Sequence, residues 1–234
     1  MSRVASASPE LDHDLAVPTA WLPGAGSVVG TAGLDHHGSG LVAVGVGLGG
    51  ISEVEVGVDS DARACSPCSS DNPAPEVHLA RAAFRLGARE NEWFAGQPAL
   101  VLGVHTTIGH DRRVGQAYVV ASKRLGPAAL HAGAMATDAE ADGSRMGLEL
   151  RPLVGAELTP PQYPKTTVLV DFAWLTRFEP AAPALEYAFS WGVRYQALAW
   201  GSIELDVRQR EGELGSPTVM VRLNAVLGYA APTR

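Results

Sequence analysis

Between Leu185 and Leu198 the chain reads LEYAFSWGVRYQAL, with Leu185, Tyr187, Phe189, Trp191, Val193, Tyr195 and Ala197 at the odd positions and Glu186, Ser190, Arg194 and Gln196 among the even ones. Successive side chains of an extended chain point to opposite faces, so this period of two predicts a strand with an aromatic-rich apolar face and a mixed polar one. Weaker copies recur along most of the sequence. Turn signals cut it into about twelve segments, close to the roughly 9–11 residues with which a tilted strand crosses a bilayer. They are 25–34, 40–48, 51–59, 76–89, 98–109, 114–124, 128–137, 147–158, 166–178, 185–198, 201–210 and 217–229. The stretch HLARAAFRLGARENEW also admits a helix with Leu79, Ala82, Ala83 and Leu86 on one stripe, but its neighbours favour a sheet.

The links between segments alternate in length. After even-numbered strands come Leu48-Gly49-Gly50, Leu125-Gly126-Pro127, Pro160-Pro161-Gln162-Tyr163-Pro164 and Ala199-Trp200; after odd-numbered strands the links are longer and more polar. The link from Glu90 to Gln97 is the exception. Short turns on one rim and long loops on the other mark an up-and-down barrel of the membrane type, and an even strand count puts both termini on the short-turn side.

Parity assigns the charges to one face: Glu53, Glu55 and Asp59; Arg81, Arg85 and Arg89; Glu149, Arg151 and Glu157; Asp171; Glu186 and Arg194; Glu204, Asp206, Arg208 and Arg210; and Arg222 with Asn224. Acids and arginines are in near balance, which reads as an internally paired lumen, whereas an ion-selective pore would show a dominant sign. The opposite face carries Val54, Val56, Val168, Val170, Ile203, Leu205, Val219, Val221 and Leu223. Lipid or its interface is expected around Trp174, Tyr187, Phe189, Trp191, Tyr195 and Tyr229. A soluble barrel would turn that apolar face into its core, and alternation alone does not choose. Aromatics near segment ends, abundant Gly and Ala on the polar face, and the loop asymmetry favour apolar-out.

Composition narrows the function. The net charge of -7 and the lack of a basic cluster interleaved with aromatics exclude a nucleic-acid partner. No apolar run is long enough to cross a bilayer as a helix, so insertion must be by strands, which close to leave no unpaired edge. One domain is expected: an extension over 1–20, a barrel over 21–229 and a tail over 230–234. The opening MSRVASASPELDHDLAVPTAW carries no apolar leader core, which places the expected export signal upstream of Met1 or marks Met1 as the start of the mature segment. Cys65 and Cys68, in ACSPCSSDNPAP, are spaced to close a small loop disulfide in an oxidising compartment.

Chemistry is sparse. His105, His110 and His131 with Ser122 and Asp111 invite a Ser-His-Asp lipid hydrolase, but their spacing identifies no triad. Asp35, His36 and His37, with Asp12, His13 and Asp14, are polar turn residues on opposite rims of this topology, so no shared metal is expected. GVGLGG lies between strands without the helix that phosphate binding needs. No catalytic residue, metal or cofactor is predicted.

The last segment, TVMVRLNAVLGY, alternates Val219, Val221, Leu223, Ala225 and Leu227 and ends on Tyr229. It resembles the terminal strand of bacterial outer-membrane β-barrel proteins, in which an alternating strand closing on an aromatic is what the barrel-assembly machinery recognises. More loosely, VPTAWLPGAGSVVGTAGL is similar to the start of barrels associated with exopolysaccharide export. The resemblance implies an all-β, closed antiparallel up-and-down transmembrane barrel of about twelve strands in a bacterial outer membrane. It also implies membrane lipids and the assembly machinery as partners, with envelope polysaccharide or small solutes as cargo. The expected role is structural or narrow transport without enzymatic activity. The alternatives are a soluble or periplasmic barrel holding an apolar ligand, and a barrel-embedded lipid hydrolase.

Overall fold

The computed structural model describes residues 15–36, 38–59, 79–178, 182–211 and 215–228. Its strands are β1 (Val28–Asp35), β2 (Gly40–Leu48), β3 (Ser52–Asp59), β4 (Leu79–Ala88), β5 (Ala99–Gly109), β6 (Arg112–Leu125), β7 (Ala128–Ala141), β8 (Ser144–Arg145), β9 (Glu149–Leu158), β10 (Thr166–Phe178), β11 (Pro183–Leu198), β12 (Gly201–Arg210) and β13 (Thr218–Leu227). Twelve of these form one antiparallel wall in sequence order, which β1 closes by pairing with β13. The two-residue β8 folds back on the tip of β7.

The helical reading of 78–93 is overturned. Residues 79–88 form β4, laddered on both edges to β3 and β5, and Arg85 faces Glu53 across the first of these ladders. Two neighbouring strands with unpaired backbone groups outweigh a local stripe of helix-forming residues. The strand ends differ from the sequence-based limits: β7 runs on to Ala141 and turns into β8, in the stretch between the segments expected at 128–137 and 147–158.

The burial pattern is inverted relative to a soluble protein. Val42, Val44, Val46, Val54, Val56, Leu102, Val104, Leu205, Val221 and Leu223 stand exposed around the outside, whereas Glu53, Glu204, Asp206, Arg210 and Arg222 are buried within. Small residues make room for these long side chains. Arg85 lies opposite Gly103, Arg81 opposite Gly57, Arg222 opposite Gly33 and Arg210 opposite Ala188. Gly133 of β7 shows how tight the wall is, since a Cβ there would run into the Val119 carbonyl of β6. Gly133→Ala is therefore expected to destabilise the barrel by about 1–3 kcal/mol, the usual cost of overpacking, read as a lower melting midpoint of the folded form on unboiled gels.

The wall has one weak seam. The β9–β10 ladder runs for five pairs, from Val168↔Leu158 to Phe172↔Val154. Beyond it β9 stays paired to β7 as far as Glu149, and β10 stays paired to β11 as far as Phe178. Toward its Phe178 end the β10–β11 pair leans into the barrel, where Phe178 packs with Leu79 of β4, Val114 of β6, Ala139 and Ala141 of β7, and Met146 ahead of β9.

Candidate functional site: an occluded lumen

Ahead of β1, residues 15–24 run inside the barrel. Leu15, Val17, Thr19, Ala20, Trp21 and Leu22 are all buried, and Val17, Ala20, Trp21 and Leu22 share a core with Val101, Val120, Met135 and Leu153 of the wall. A buried irregular segment needs partners for its backbone, and inward polar side chains supply them. Asp171 Oδ2 accepts the N–H groups of Leu15 (3.1 Å), Ala16 (2.5 Å) and Val17 (2.9 Å). Three consecutive amides converging on one carboxylate make a compact anion nest. Ser122 Oγ accepts the N–H of Ala20 at 2.8 Å, while Arg208 and Arg85 donate to the carbonyls of Leu15 and Thr19, each at 3.4 Å. The Trp21 ring lies beneath the Arg124 guanidinium, 4.0 Å from its centroid, and edge-on to His131. The first residues of this segment belong to the stretch the sequence suggests as an extension; the structure places them in the lumen.

The charges form a ladder of ion pairs around the segment. Glu53 binds Arg85, and Arg81 lies 2.7 Å from Glu55 and 3.8 Å from Asp59. Glu204 takes Arg194 and Arg222 at 2.8 and 2.9 Å, and Asp206 lies 3.3 Å from Arg222. Glu186 binds Arg210 at 3.0 Å and Arg177 at 3.3 Å. Asn224 accepts from Thr31, Arg208 donates to Ser190, Arg151 pairs with Glu149, and Glu157 lies 3.5 Å from His131. Arg89 departs from expectation. It lies past the end of β4, exposed on the rim, where its Nε donates to the Gly50 carbonyl.

Above residues 15–18 a cavity of about 180 Å³ remains, bordered by Glu53, Glu55, Arg81, His105, Trp174 and Thr176 among others. Trp174 corrects the expected lipid-facing set, because the inward lean of the hairpin brings its ring to the cavity with Arg151 4.8 Å above it. Tyr187 is half-buried and stacks on Phe172, whereas Phe189, Trp191 and Tyr195 are exposed outside. Tyr229, Cys65, Cys68, His37 and the Asp12-His13-Asp14 cluster lie outside the described residues.

Of the proposed hydrolase residues, the structure brings Ser122 and His131 together, with Oγ 2.7 Å from Nδ1 and Glu157 beyond the ring. Both are fully buried, and the Ser122 oxygen is engaged by Ala20. This is a tie for the inner segment rather than a nucleophile open to substrate. His110 and Asp111 form an exposed pair on a turn, and His105 borders the cavity. Asp35 and His36 hold the β1–β2 turn, accepting the amides of Ser39 and Val219. Among the described residues no three His, Cys, Asp or Glu side chains converge as a metal site.

No protein-family model matches the sequence, and no curated protein matches it either. Solved structures do match in shape. The chain is similar to the KdgM porin at 7% identity and a TM-score of 0.56, over 87% of this chain and 99% of that one. It is similar to the COG4313 outer membrane channel from Pseudomonas putida F1 at 12% identity and a TM-score of 0.58, over 93% and 100%. The NanC porin aligns at 8% identity with a TM-score of 0.52, over 86% and 99%. The fold is thus that of bacterial outer-membrane β-barrel channels, as the terminal strand and loop asymmetry led one to expect.

Proposed function

We propose that this chain is an integral barrel of a bacterial outer membrane with a structural or narrow transport role and no enzymatic activity, and that residues 15–24 hold its lumen closed. The observation that carries this reading is the inversion of burial: a closed wall with valines and leucines outside and ion pairs inside. An apolar outer surface of this extent is stable in hydrocarbon and a liability in water, and a closed ladder leaves no unpaired strand edge in lipid. Exposed Trp93, Phe94, Tyr163 and Trp200 all lie in links of the short-turn rim, where an interfacial aromatic belt would sit. The likeness to porins and channels supports the same placement.

The lumen supports narrow passage at most. Its charges are paired across strands, and the inner segment fills the half nearest the short turns. Small solutes or segments of envelope polysaccharide are the cargo such a lumen would admit once that segment moves. Lipids and the assembly machinery are the partners implied by this location. The soluble alternative requires the apolar face as a core, and that face is outside. Purified protein is expected to need detergent and to migrate faster unboiled than boiled, since a closed barrel resists the denaturant. A monomer that stays soluble without detergent would overturn the reading.

A further inference from the structure

Where the β9–β10 ladder stops, three polar groups that ordinarily donate hydrogen bonds lie buried without a partner: Arg151 Nε, Trp174 Nε1 and Thr176 Oγ1. Thr176 is 8% exposed, and both it and Trp174 border the cavity. Arg151 joins them by stacking its guanidinium on the Trp174 ring. Buried donors left unmade are costly, and a cluster of them beside a cavity marks the place where a ligand's acceptor atoms would go. The wall beside the cluster is the seam. Past the last pair, Phe172↔Val154, the same register would bring Leu153 opposite Ala173 and Pro152 opposite Trp174, and Pro152 has no N–H to offer a ladder. The outer lip carries Leu148, Leu150 and Val154, all strongly exposed, with Phe172 and Tyr187 stacked on the hairpin side.

We propose that this seam is a lateral binding site for a single-chain amphiphile with a carboxylate head, such as a long-chain fatty acid. The head takes the donors of Arg151, Trp174 and Thr176, and the chain lies between β9 and the β10–β11 hairpin toward the lipid. Glu149, which already pairs with Arg151 at 2.5 Å, keeps the lip electrically neutral. Binding therefore rests on directed hydrogen bonds to the head and on burial of the chain, not on net charge. The proposal rests on the reading of the barrel as membrane-embedded, since the ligand arrives from the lipid.

The test titrates fluorescent-labelled oleate onto the purified barrel in neutral detergent, beside the double variant Trp174→Phe with Thr176→Val, which keeps shape and removes two donors. Loss of two hydrogen bonds to a carboxylate predicts oleate binding weaker by about a hundredfold or more in the variant. Oleyl alcohol, which lacks the carboxylate, should compete poorly against the labelled oleate. Equal affinity of wild type and variant, absence of saturable binding, or equal competition by the alcohol would each overturn the site. Heat-modifiable mobility is recorded for every sample: if it persists while oleate fails to bind, the site is wrong and the membrane-barrel reading stands.

Discussion

The double variant Asp171→Ala with Trp21→Ala is expected to turn a silent barrel into a conducting one in planar bilayers. Two kinds of contact hold residues 15–24, and their magnitudes decide which must be removed. Each of the three amide bonds to Asp171 is of the charged kind, worth about 1.5–3 kcal/mol, though three bonds on one oxygen add less than their sum. Truncating a buried Trp such as Trp21 costs about 3–5 kcal/mol, so Asp171→Ala alone leaves the apolar half of the anchor in place. Removing both lowers the segment's hold by about 5 kcal/mol, more than three powers of ten in the open population. The expected record is rare brief openings for wild type and sustained steps for the variant. A variant as silent as wild type, with its heat-modifiable mobility intact, would show that residues 15–24 do not control the lumen.

The same segment marks where the sequence stopped being legible. Alternation, turn residues and the parity of loop lengths read out the barrel and the facing of its strands because each is local: a period of two needs only neighbours in the chain. Arg85 could be paired with Glu53 because one hairpin brings them together. LAVPTAW, by contrast, shows no strand signature, and its fate is set by Asp171 and Ser122, more than a hundred residues away. One clue was present: Asp171 is a lone acid amid Val168, Leu169, Val170 and Phe172, a position that demands donors. Trp174 misled for a related reason. Its parity is that of Val168 and Val170, but the hairpin bends where β9 stops pairing, and the same face then meets the interior of the barrel instead of its outside. Alternation reports which residues share a face, and tertiary curvature decides what that face touches.

How dry the lumen is can be read from the ladder on β11, β12 and β13. Arg194, Glu204 and Arg222 stand directly across from one another on successive strands, and Gly33 of β1 leaves room for the last of them. Arg222 is 2% exposed; besides Glu204 it reaches Asp206, and its Nε donates to Met220 Sδ. If water filled this space, Arg222→Met would cost no more than an exposed pair, about 0–1 kcal/mol. In the closed lumen the substitution strands Glu204 and Asp206 with one guanidinium fewer between them, and breaking a buried pair costs about 3–5 kcal/mol. A clearly lower unfolding midpoint on unboiled gels is expected for Arg222→Met. Adding Glu204→Gln removes one stranded carboxylate and leaves Asp206 and Arg194 in balance, so the double variant should recover part of the loss. A midpoint unchanged by Arg222→Met would instead mean a hydrated interior, in which the paired charges line a water-filled path that residues 15–24 obstruct.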